Sequence, residues 1–384
     1  MILALVFRNA FRHKLRTALT VVGLTVAVLA FGLLSTVIEA WYAGAEGASN
    51  ARLIVRNSIS LVFPLPLTYE QKIHQIDGVK AVSLANWFGG IYKDPKNFFV
   101  QFAIDPSTYL DLYPEFVLSD VDRRDFLRDR KGVMVGEKLA ATYGFKRGDT
   151  VTLKGTIYPG EWDFVVRAIY TGRDARTDVA QMLFHWDYLN ETMKVRVPRR
   201  GNQVGVYIVE VGDPARAAEV SRAIDAEFRN SNAETLTETE KAFQLGFVSM
   251  TEAIVVAIRV VSYLVIFIIL AVMANTMAMT ARERTAEYAT LKALGFGPAF
   301  VMALIYGESL AIAGIGGAVG IALTFPVADA FAKAMGTLFP VFVVSKATLC
   351  WQIACAAAVG LVAAALPAFN ASRVKIVDGL RSIG

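Results

Sequence analysis

Four long apolar runs divide this chain, and each is long enough to cross a lipid bilayer as a helix. The first run, residues 17–38, holds 22 residues without a charge. A bilayer core about 30 Å thick needs roughly 20 helical residues. The other runs cover residues 260–280, 300–323 and 349–368, and the last two are richer in Gly and Ala. The pattern therefore predicts four membrane-spanning helices.

The first run also has the basic start of a signal peptide. Its preceding residues include Arg8, Arg12, Lys14 and Arg16, and small residues follow the run. Signal peptides, however, have apolar cores of about 7–15 residues. Because this run is longer, we interpret it as a membrane helix that stays in the protein.

A large insertion, residues 39–259, separates the first two runs. Between residues 40 and 250 it carries 26 basic and 27 acidic residues, the near-neutral balance of a solvated domain. Short apolar stretches predict strands at 52–57, 98–104, 133–135, 150–154, 163–169 and 204–211. Helical patterns lie between them, so we predict an α+β domain. From about 234 to 259 a helical pattern predicts a stalk that leads into the second span.

Lysines and arginines beside the runs indicate the orientation of the helices. The segment 1–16, predicted to be an amphipathic helix, has four Lys or Arg and no acidic residue, and basic residues recur in 281–299 and in the tail 369–384. Four spans put these three segments on one side, which the positive-inside bias makes cytoplasmic. The insertion and the loop 324–348 are then on the outer side.

Composition excludes several classes of protein. With 55% hydrophobic and 19% charged residues and a mean hydropathy of +0.45, a purely cytosolic enzyme is excluded. Two cysteines and three scattered histidines do not favour a metal site. A net charge of +5 over 384 residues does not favour nucleic-acid binding. We expect no cofactor, metal or nucleic acid on this chain.

Motifs of common catalytic sites are missing from the sequence. No G-x-x-x-x-G-K-[ST] phosphate loop occurs, and the nearest string, residues 132–138, lacks its spacing. Neither G-x-S-x-G nor H-E-x-x-H is present. The sequence therefore predicts a non-catalytic chain.

The segment between the second and third runs has a pattern of its own. Residues 280–296 contain strong helix formers and alternating charges, with Tyr288, Leu291 and Leu294 three residues apart and Gly295 as a C-terminal stop. This pattern predicts a short amphipathic helix. It is either an ordinary linker helix or a peg that inserts its apolar ridge into a groove of a partner.

The string ERTAEYATLKALGF resembles the cytoplasmic coupling helix of MacB/FtsX-type ABC transporter permeases, the type VII or mechanotransmission class, whose pattern is similar to R-x-R-E-I-G-x-L-x-A-L-G. The matching residues are Arg284, Glu287, Leu291, Lys292, Ala293, Leu294 and Gly295. The chain departs from the pattern at Ala286, Tyr288 and Ala289. Segments 7–17, 132–151 and 367–381 resemble the N-terminal helix, the outer-domain signature and the closing segment of the same family.

The resemblance implies a permease that pairs with a second copy, identical or not, and binds a separate cytoplasmic ABC ATPase dimer. Because the first span begins near residue 17, we expect no fused ATPase, and ATP and Mg²⁺ would bind the partner. The docking residues implied on this chain are Arg284, Glu287, Tyr288, Leu291, Lys292, Leu294 and Gly295. The implied location is a bacterial inner membrane, with lipid around the spans and both termini in the cytoplasm.

The function implied by the resemblance is export driven by movement of the outer domain, with a periplasmic adaptor and an outer-membrane duct as further partners. Three alternatives remain open: extraction of a lipoprotein or lipid, FtsX-like regulation of a cell-envelope enzyme, and a membrane sensor without an ATPase. The substrate itself is not indicated.

Polar and small residues inside the spans are further candidates for function. Glu308 lies roughly 12–15 Å deep in the third span, where a charge needs a partner. We predict a hydrogen bond to a neighbouring span, with Asn275 as the candidate, and a role in locking the transmembrane dimer; a coupling or proton role is the alternative. Gly316 and Gly320 have small-xxx-small spacing, which suits close packing within the chain or at a dimer seam.

Overall fold

The structure is a computed structural model, and it describes residues 12–174, 176–336, 339 and 341–374. The chain forms two compact units. The membrane unit comprises the chain up to Glu39, residues Glu252–Ala334 and the chain from Phe342 onward. The inserted domain comprises Ala40–Thr251 and Met335–Val341.

The described residues contain twelve α-helices. They are α1 (Lys14–Gly47), α2 (Tyr69–His74), α3 (Pro106–Leu112), α4 (Asp120–Arg128), α5 (Glu137–Tyr143), α6 (Trp186–Arg196), α7 (Ala217–Glu227), α8 (Glu240–Met250), α9 (Glu252–Glu283), α10 (Thr285–Ala293), α11 (Pro298–Met335) and α12 (Lys346–Ser372). Short 3₁₀ helices cover Pro198–Arg200 and Pro214–Arg216.

The same residues contain thirteen strands, all in the inserted domain. They are β1 (Arg52–Asn57), β2 (Leu65–Pro66), β3 (Val79–Trp87), β4 (Gly90–Ile91), β5 (Val100–Ile104), β6 (Phe116–Val117), β7 (Gly132–Gly136), β8 (Thr150–Gly155), β9 (Gly160–Gly172), β10 (Gln181–His185), β11 (Gln203–Val204), β12 (Val206–Val211) and β13 (Thr235–Thr239).

Eleven of these strands form one mixed sheet in the order β13-β1-β12-β3-β5-β10-β7-β9-β8-β4, with β6 paired to β9. The pairs β5/β10 and β7/β9 are parallel. Strands β2 and β11 form a separate antiparallel ladder. Pairing of Leu53 with Thr239 brings the start of β1 beside the start of α8.

The sheet of the inserted domain has a helical layer on each face. Alternation along β1 places Leu53 and Val55 in one core and Ile54 in the other, as the two-residue period of a strand requires. Helices α2, α5, α6 and α7 contribute to the first core, and α3 and α4 to the second. The predicted α+β fold with four apolar helices is therefore confirmed.

The four membrane helices are α1, α9, α11 and α12, and all are long and apolar enough to span a bilayer. Each extends beyond the apolar run that predicted it, because helical structure continues into polar or small residues at its ends. A shared core, centred on Leu24, Met273, Ile305 and Ala363, packs the four helices together.

The predicted stalk helix over 234–259 is wrong in part. Thr235–Thr239 is a strand, α8 follows it, and Thr251 separates α8 from α9. The strand forms because TLTET is rich in β-branched residues and its backbone pairs with β1. The Thr239 side chain then accepts a hydrogen bond from the backbone N–H of Ala242 and so begins α8.

Candidate functional site

The buried ion pair between Arg284 and Glu308 fixes the start of the segment that joins α9 to α11. The guanidinium Nη1 donates to the Glu308 carboxylate at 2.8 Å, and Nε donates to Glu287 at 2.9 Å. The Arg284 and Glu308 side chains are only 6% and 4% exposed. Leaving one partner of such a pair alone costs about 3–5 kcal/mol, so the two residues depend on each other.

This pair corrects the partner that we predicted for Glu308. Asn275 is exposed on α9, and no hydrogen bond joins it to Glu308 in the described residues. The charge on Glu308 is instead matched by an arginine from the connecting segment. Glu308 therefore joins α11 to the segment that precedes α10.

Acidic residues of α9 and α10 pair with arginines just before and within the first turn of α1. Arg12 pairs with Glu287, and Arg16 donates two hydrogen bonds to Glu283 at 2.8 and 2.9 Å. Burial acts to raise the pKa of Glu287, but hydrogen bonds from Arg284 and Arg12 outweigh it and lower that pKa. Glu287 is thus a carboxylate at neutral pH, and it bridges two arginines.

Lys292 connects α10 to the end of α12. Its Nζ donates to the carbonyl oxygens of Ser372 at 2.6 Å and Val374 at 2.8 Å. The last carbonyls of a helix lack intrahelical partners and carry partial negative charge. The lysine therefore stabilises the end of α12 and holds α10 beside it.

Two of the three residues predicted to form a docking ridge face the chain's own helices. Tyr288 is 1% exposed and packs in the core of the membrane unit. Leu291 is half-buried against the same core. Burial raises the pKa of the Tyr288 hydroxyl to about 12, although Arg284 acts in the opposite direction. Tyr288 and Leu291 therefore anchor α10 in this structure.

Beyond these anchors lies an exposed apolar tip, defined here as residues 293–299. Leu294 is 72% exposed and Phe296 is 43% exposed. Gly295 has φ +94° with open space around it, so its backbone conformation, not crowding, favours glycine. The Phe296 ring stacks on Phe300 at 4.6 Å, which holds the tip against the start of α11.

Gly316 and Gly320 let α11 approach α1 closely. A Cβ atom on Gly316 would lie 3.0 Å from the Val21 carbonyl oxygen, and one on Gly320 would lie 2.8 Å from that of Thr25. The Thr25 hydroxyl donates to the Gly316 carbonyl at 3.2 Å. These two glycines therefore serve the packing of α11 on α1 within the chain.

Sequence reasoning missed several residues that the structure brings to this site. The sequence marks Arg12 and Arg16 as basic residues beside the first apolar run, within a segment that resembles the family's N-terminal helix, and it marks Phe296 as the end of a motif. Their spacing in sequence carries no sign of pairing, because Arg12 and Glu287 are 275 positions apart. Among the described residues, no group of His, Cys, Asp and Glu is arranged to hold a metal ion.

Two family models match the chain. Residues 17–227 match the MacB-like periplasmic core domain, which is more than half of the sequence, and residues 259–376 match the FtsX-like permease C-terminal domain. The chain belongs to the MacB/FtsX-type ABC transporter permeases. The FtsX-like part of this permease contains α10, α11 and α12, and the MacB-like part contains most of the sheet.

Three relatives show how far the permease resembles known sequences. An uncharacterized ABC transporter permease of Methanocaldococcus jannaschii is 24% identical over 416 residues, which cover 99% of this permease and 97% of the relative. The uncharacterized ABC transporter permease YvrN of Bacillus subtilis is 32% identical over 28% of this permease and 25% of its own length. A macrolide export ATP-binding/permease protein MacB of Shewanella is 30% identical over 28% of this permease and 16% of its own length.

Solved structures also resemble the permease. The periplasmic region of MacB from Actinobacillus actinomycetemcomitans aligns with 53% of the permease and 94% of its own chain, at 10% identity and a TM-score of 0.37. The extracellular domain of the transporter YknZ aligns with 49% of the permease and all of its own chain, at 12% identity and a TM-score of 0.35.

Proposed function

We propose that this permease is the non-catalytic transmembrane subunit of an exporter, driven by a separate ABC ATPase dimer that binds ATP and Mg²⁺. One observation carries the proposal. The apolar tip is exposed, whereas the rest of its segment is tied by charged side chains to Arg12, just before α1, and to α11 and α12. A segment whose tip is exposed to a partner, and whose remaining residues are held by other helices of the chain, suits a docking site that transmits movement.

The docking contact in this proposal is made by Leu294 and Phe296. Exposed apolar side chains on a short helix end are typical anchors for a groove in a partner. Arg284, Glu287, Tyr288 and Lys292 act as positioning residues, since they hold α10 against the other helices. Displacement of the tip is then passed to several membrane helices at once.

The orientation in the proposal follows from the basic residues. Arg12 and Arg16 lie at the same end of the membrane unit as Arg284 and Lys292, because they contact the segment that holds both. The positive-inside bias assigns this end to the cytoplasm. The inserted domain then lies outside a cytoplasmic membrane, where an exporter acts on its substrate. An adaptor and an outer-membrane duct belong to the proposal for cells with two membranes.

A second permease copy completes the proposed transporter. Helix α9 leaves large apolar side chains exposed, among them Val260, Leu264 and Phe267, which are 52–65% exposed. In a membrane protein such a face is covered by lipid or by another helix. We assign part of it to the partner copy, which would give an ATPase dimer two docking tips.

Affinity purification of the tagged full-length permease in mild detergent tests the proposal. We expect an ATPase with a phosphate-loop motif to co-purify and its ATP hydrolysis to be recovered with the permease. L294D and F296D should each lower that recovery at least tenfold, because a carboxylate cannot enter an apolar groove without a large desolvation cost.

A matched control is V62D, since Val62 is 85% exposed but lies in the inserted domain. It adds the same charge at an exposed apolar position and should leave ATPase recovery unchanged. Equal recovery with L294D, F296D and V62D would refute docking at the apolar tip. Failure of any ATPase to co-purify with the wild-type chain would refute the proposed subunit role.

A further inference from the structure

A cavity of about 480 Å³ opens in the inserted domain. Its wall includes six of the last eight residues of α1, Ala40–Gly47, together with Arg52 at the start of β1, Glu240 at the start of α8, and Phe339 and Val341. The volume is in the range of small-molecule sites. Nothing in the proposed docking function uses this cavity.

Aromatic rings form much of the cavity wall. Trp41 and Phe339 meet edge to face at 5.5 Å, and Tyr113 and Phe116 stack at 5.6 Å. The Trp41 indole N–H donates to the Thr251 hydroxyl at 2.7 Å, which fixes the orientation of the ring. The faces of such rings carry negative electrostatic potential and attract organic cations.

A buried charge cluster beside these rings has one negative charge more than it can match. Arg52 donates from Nε to Glu240 at 2.7 Å and from Nη2 to Glu115 at 2.6 Å. All three side chains are at most 17% exposed. One guanidinium therefore faces two carboxylates, and a buried surplus charge is costly without a compensating cation.

The remaining charges of the wall do not remove this excess. In total the wall contains five acidic residues (Glu46, Glu115, Asp174, Asp178 and Glu240) and three arginines (Arg52, Arg173 and Arg176). Glu46 forms no ion pair with any residue that the structure describes, so its carboxylate is available to a ligand. Aromatic walls with a surplus of carboxylates select against anions.

We propose that this cavity binds a hydrophobic organic cation. Its apolar groups lie against Trp41 and Phe339, and its positive charge lies near Glu46 and the Arg52 cluster. The site is distinct from the apolar tip, and binding to it needs neither ATP nor the ATPase.

Calorimetric titration of the full-length permease in lipid nanodiscs tests this site, with empty nanodiscs as the blank. The probe is tetraphenylphosphonium, and the matched control is tetraphenylborate, which has the same shape and the opposite charge. We expect saturable binding of the cation and none of the anion. Quenching of tryptophan fluorescence should accompany binding and should disappear in W41F.

Two variants assign the binding to the cavity. E46Q should weaken cation binding roughly tenfold, the effect of one charge about 10 Å away at intermediate dielectric. E161Q removes the same charge at the opposite end of the thirteen-residue strand β9 and should leave affinity unchanged. A43F fills the cavity and should abolish binding while thermal unfolding stays cooperative.

Two outcomes overturn the inference. One is equal binding of the cation and the anion after subtraction of the blank, which would mean that the charge of the ligand does not decide binding. The other is wild-type affinity in E46Q, with folding confirmed by its thermal transition. Because E46Q is a conservative change at an exposed position, the inference stays testable even if A43F does not fold.

Discussion

Arg284 and Glu308 lie 24 positions apart and form a 2.8 Å ion pair that is almost fully removed from solvent. One residue belongs to the segment that carries the apolar tip, and the other to a membrane helix. The pair therefore makes the position of the tip depend on the position of α11. The contribution of this ion pair to stability can be measured with substitutions of each partner.

We predict that R284M and E308L each destabilise the permease by about 3–5 kcal/mol, because each leaves one buried charge without its partner. The double variant should be more stable than either single variant, since it leaves no charge unmatched. The measurement is detergent-induced unfolding of the three variants and the wild type. Additive effects of the two substitutions would show that the residues are not coupled.

Substitution of Lys292 should loosen the end of α12. K292M removes two hydrogen bonds to terminal carbonyls, and we expect a loss of about 1–2 kcal/mol. Amide hydrogen exchange over residues 369–374 should become faster. K333M is the control, since Lys333 pairs with Asp329 on the surface of α11. Unchanged exchange in K292M would contradict the capping role.

The close packing of α11 on α1 predicts different effects for two glycines of one helix. G320A places a methyl group 2.8 Å from the Thr25 carbonyl oxygen and should destabilise by about 1–3 kcal/mol. G314A meets open space and should be neutral or stabilising by up to about 1 kcal/mol. Thermal unfolding of the two variants in one detergent compares them. Equal midpoints would mean that α1 and α11 do not pack this closely.

Stability of the inserted domain should fall as the pH is lowered through 6.5. Burial lowers the pKa of His185 below its usual value of 6.5, and its Nε2–H donates to the Phe126 carbonyl at 2.7 Å. The unfolded chain therefore takes up a proton at a higher pH than the folded domain does. The contribution of neutral His185 to the free energy of unfolding is fully present above pH 6.5, and it is lost as the pH falls toward the pKa of His185 in the folded domain.

Thermal unfolding between pH 8 and 5 measures this dependence, and H185Q should flatten it. The charges that act on the His185 ring are those of Asp187, Asp129 and Asp105. A pH profile in H185Q that matches the wild type would exclude His185 as its source.

The membrane helices and many strands could be predicted because each depends on local pattern. An uncharged run of 22 residues has few alternatives to a membrane helix. The short apolar run inside Arg52–Asn57, RLIVRN, is typical of a strand that is buried on both faces. Thr235–Thr239 was predicted to be helical, because it becomes a strand only through pairing with β1. Its β-branched threonines were the local signal for that outcome.

The candidate site was predictable as a segment but not as a set of contacts. The spacing of Tyr288, Leu291 and Leu294 predicts an apolar ridge on α10, yet it cannot show that the chain's own helices cover the first two. The sequence also does not indicate the partner of Glu308, since Arg284 is outside the predicted spans. Pairing across a tertiary contact has no periodicity that a single sequence reveals.

Phe339 belongs to the inserted domain, although the 83 residues 252–334 of the membrane unit separate it in sequence from most of that domain. A ribosome therefore finishes the sheet long before it makes the ring that packs on Trp41. Until α9 and α11 have been synthesised, the inserted domain lacks the contact between Trp41 and Phe339. The inserted domain can therefore complete its fold only after residues 252–334 of the membrane unit have been synthesised. The order of translation thus sets the order in which this domain is completed.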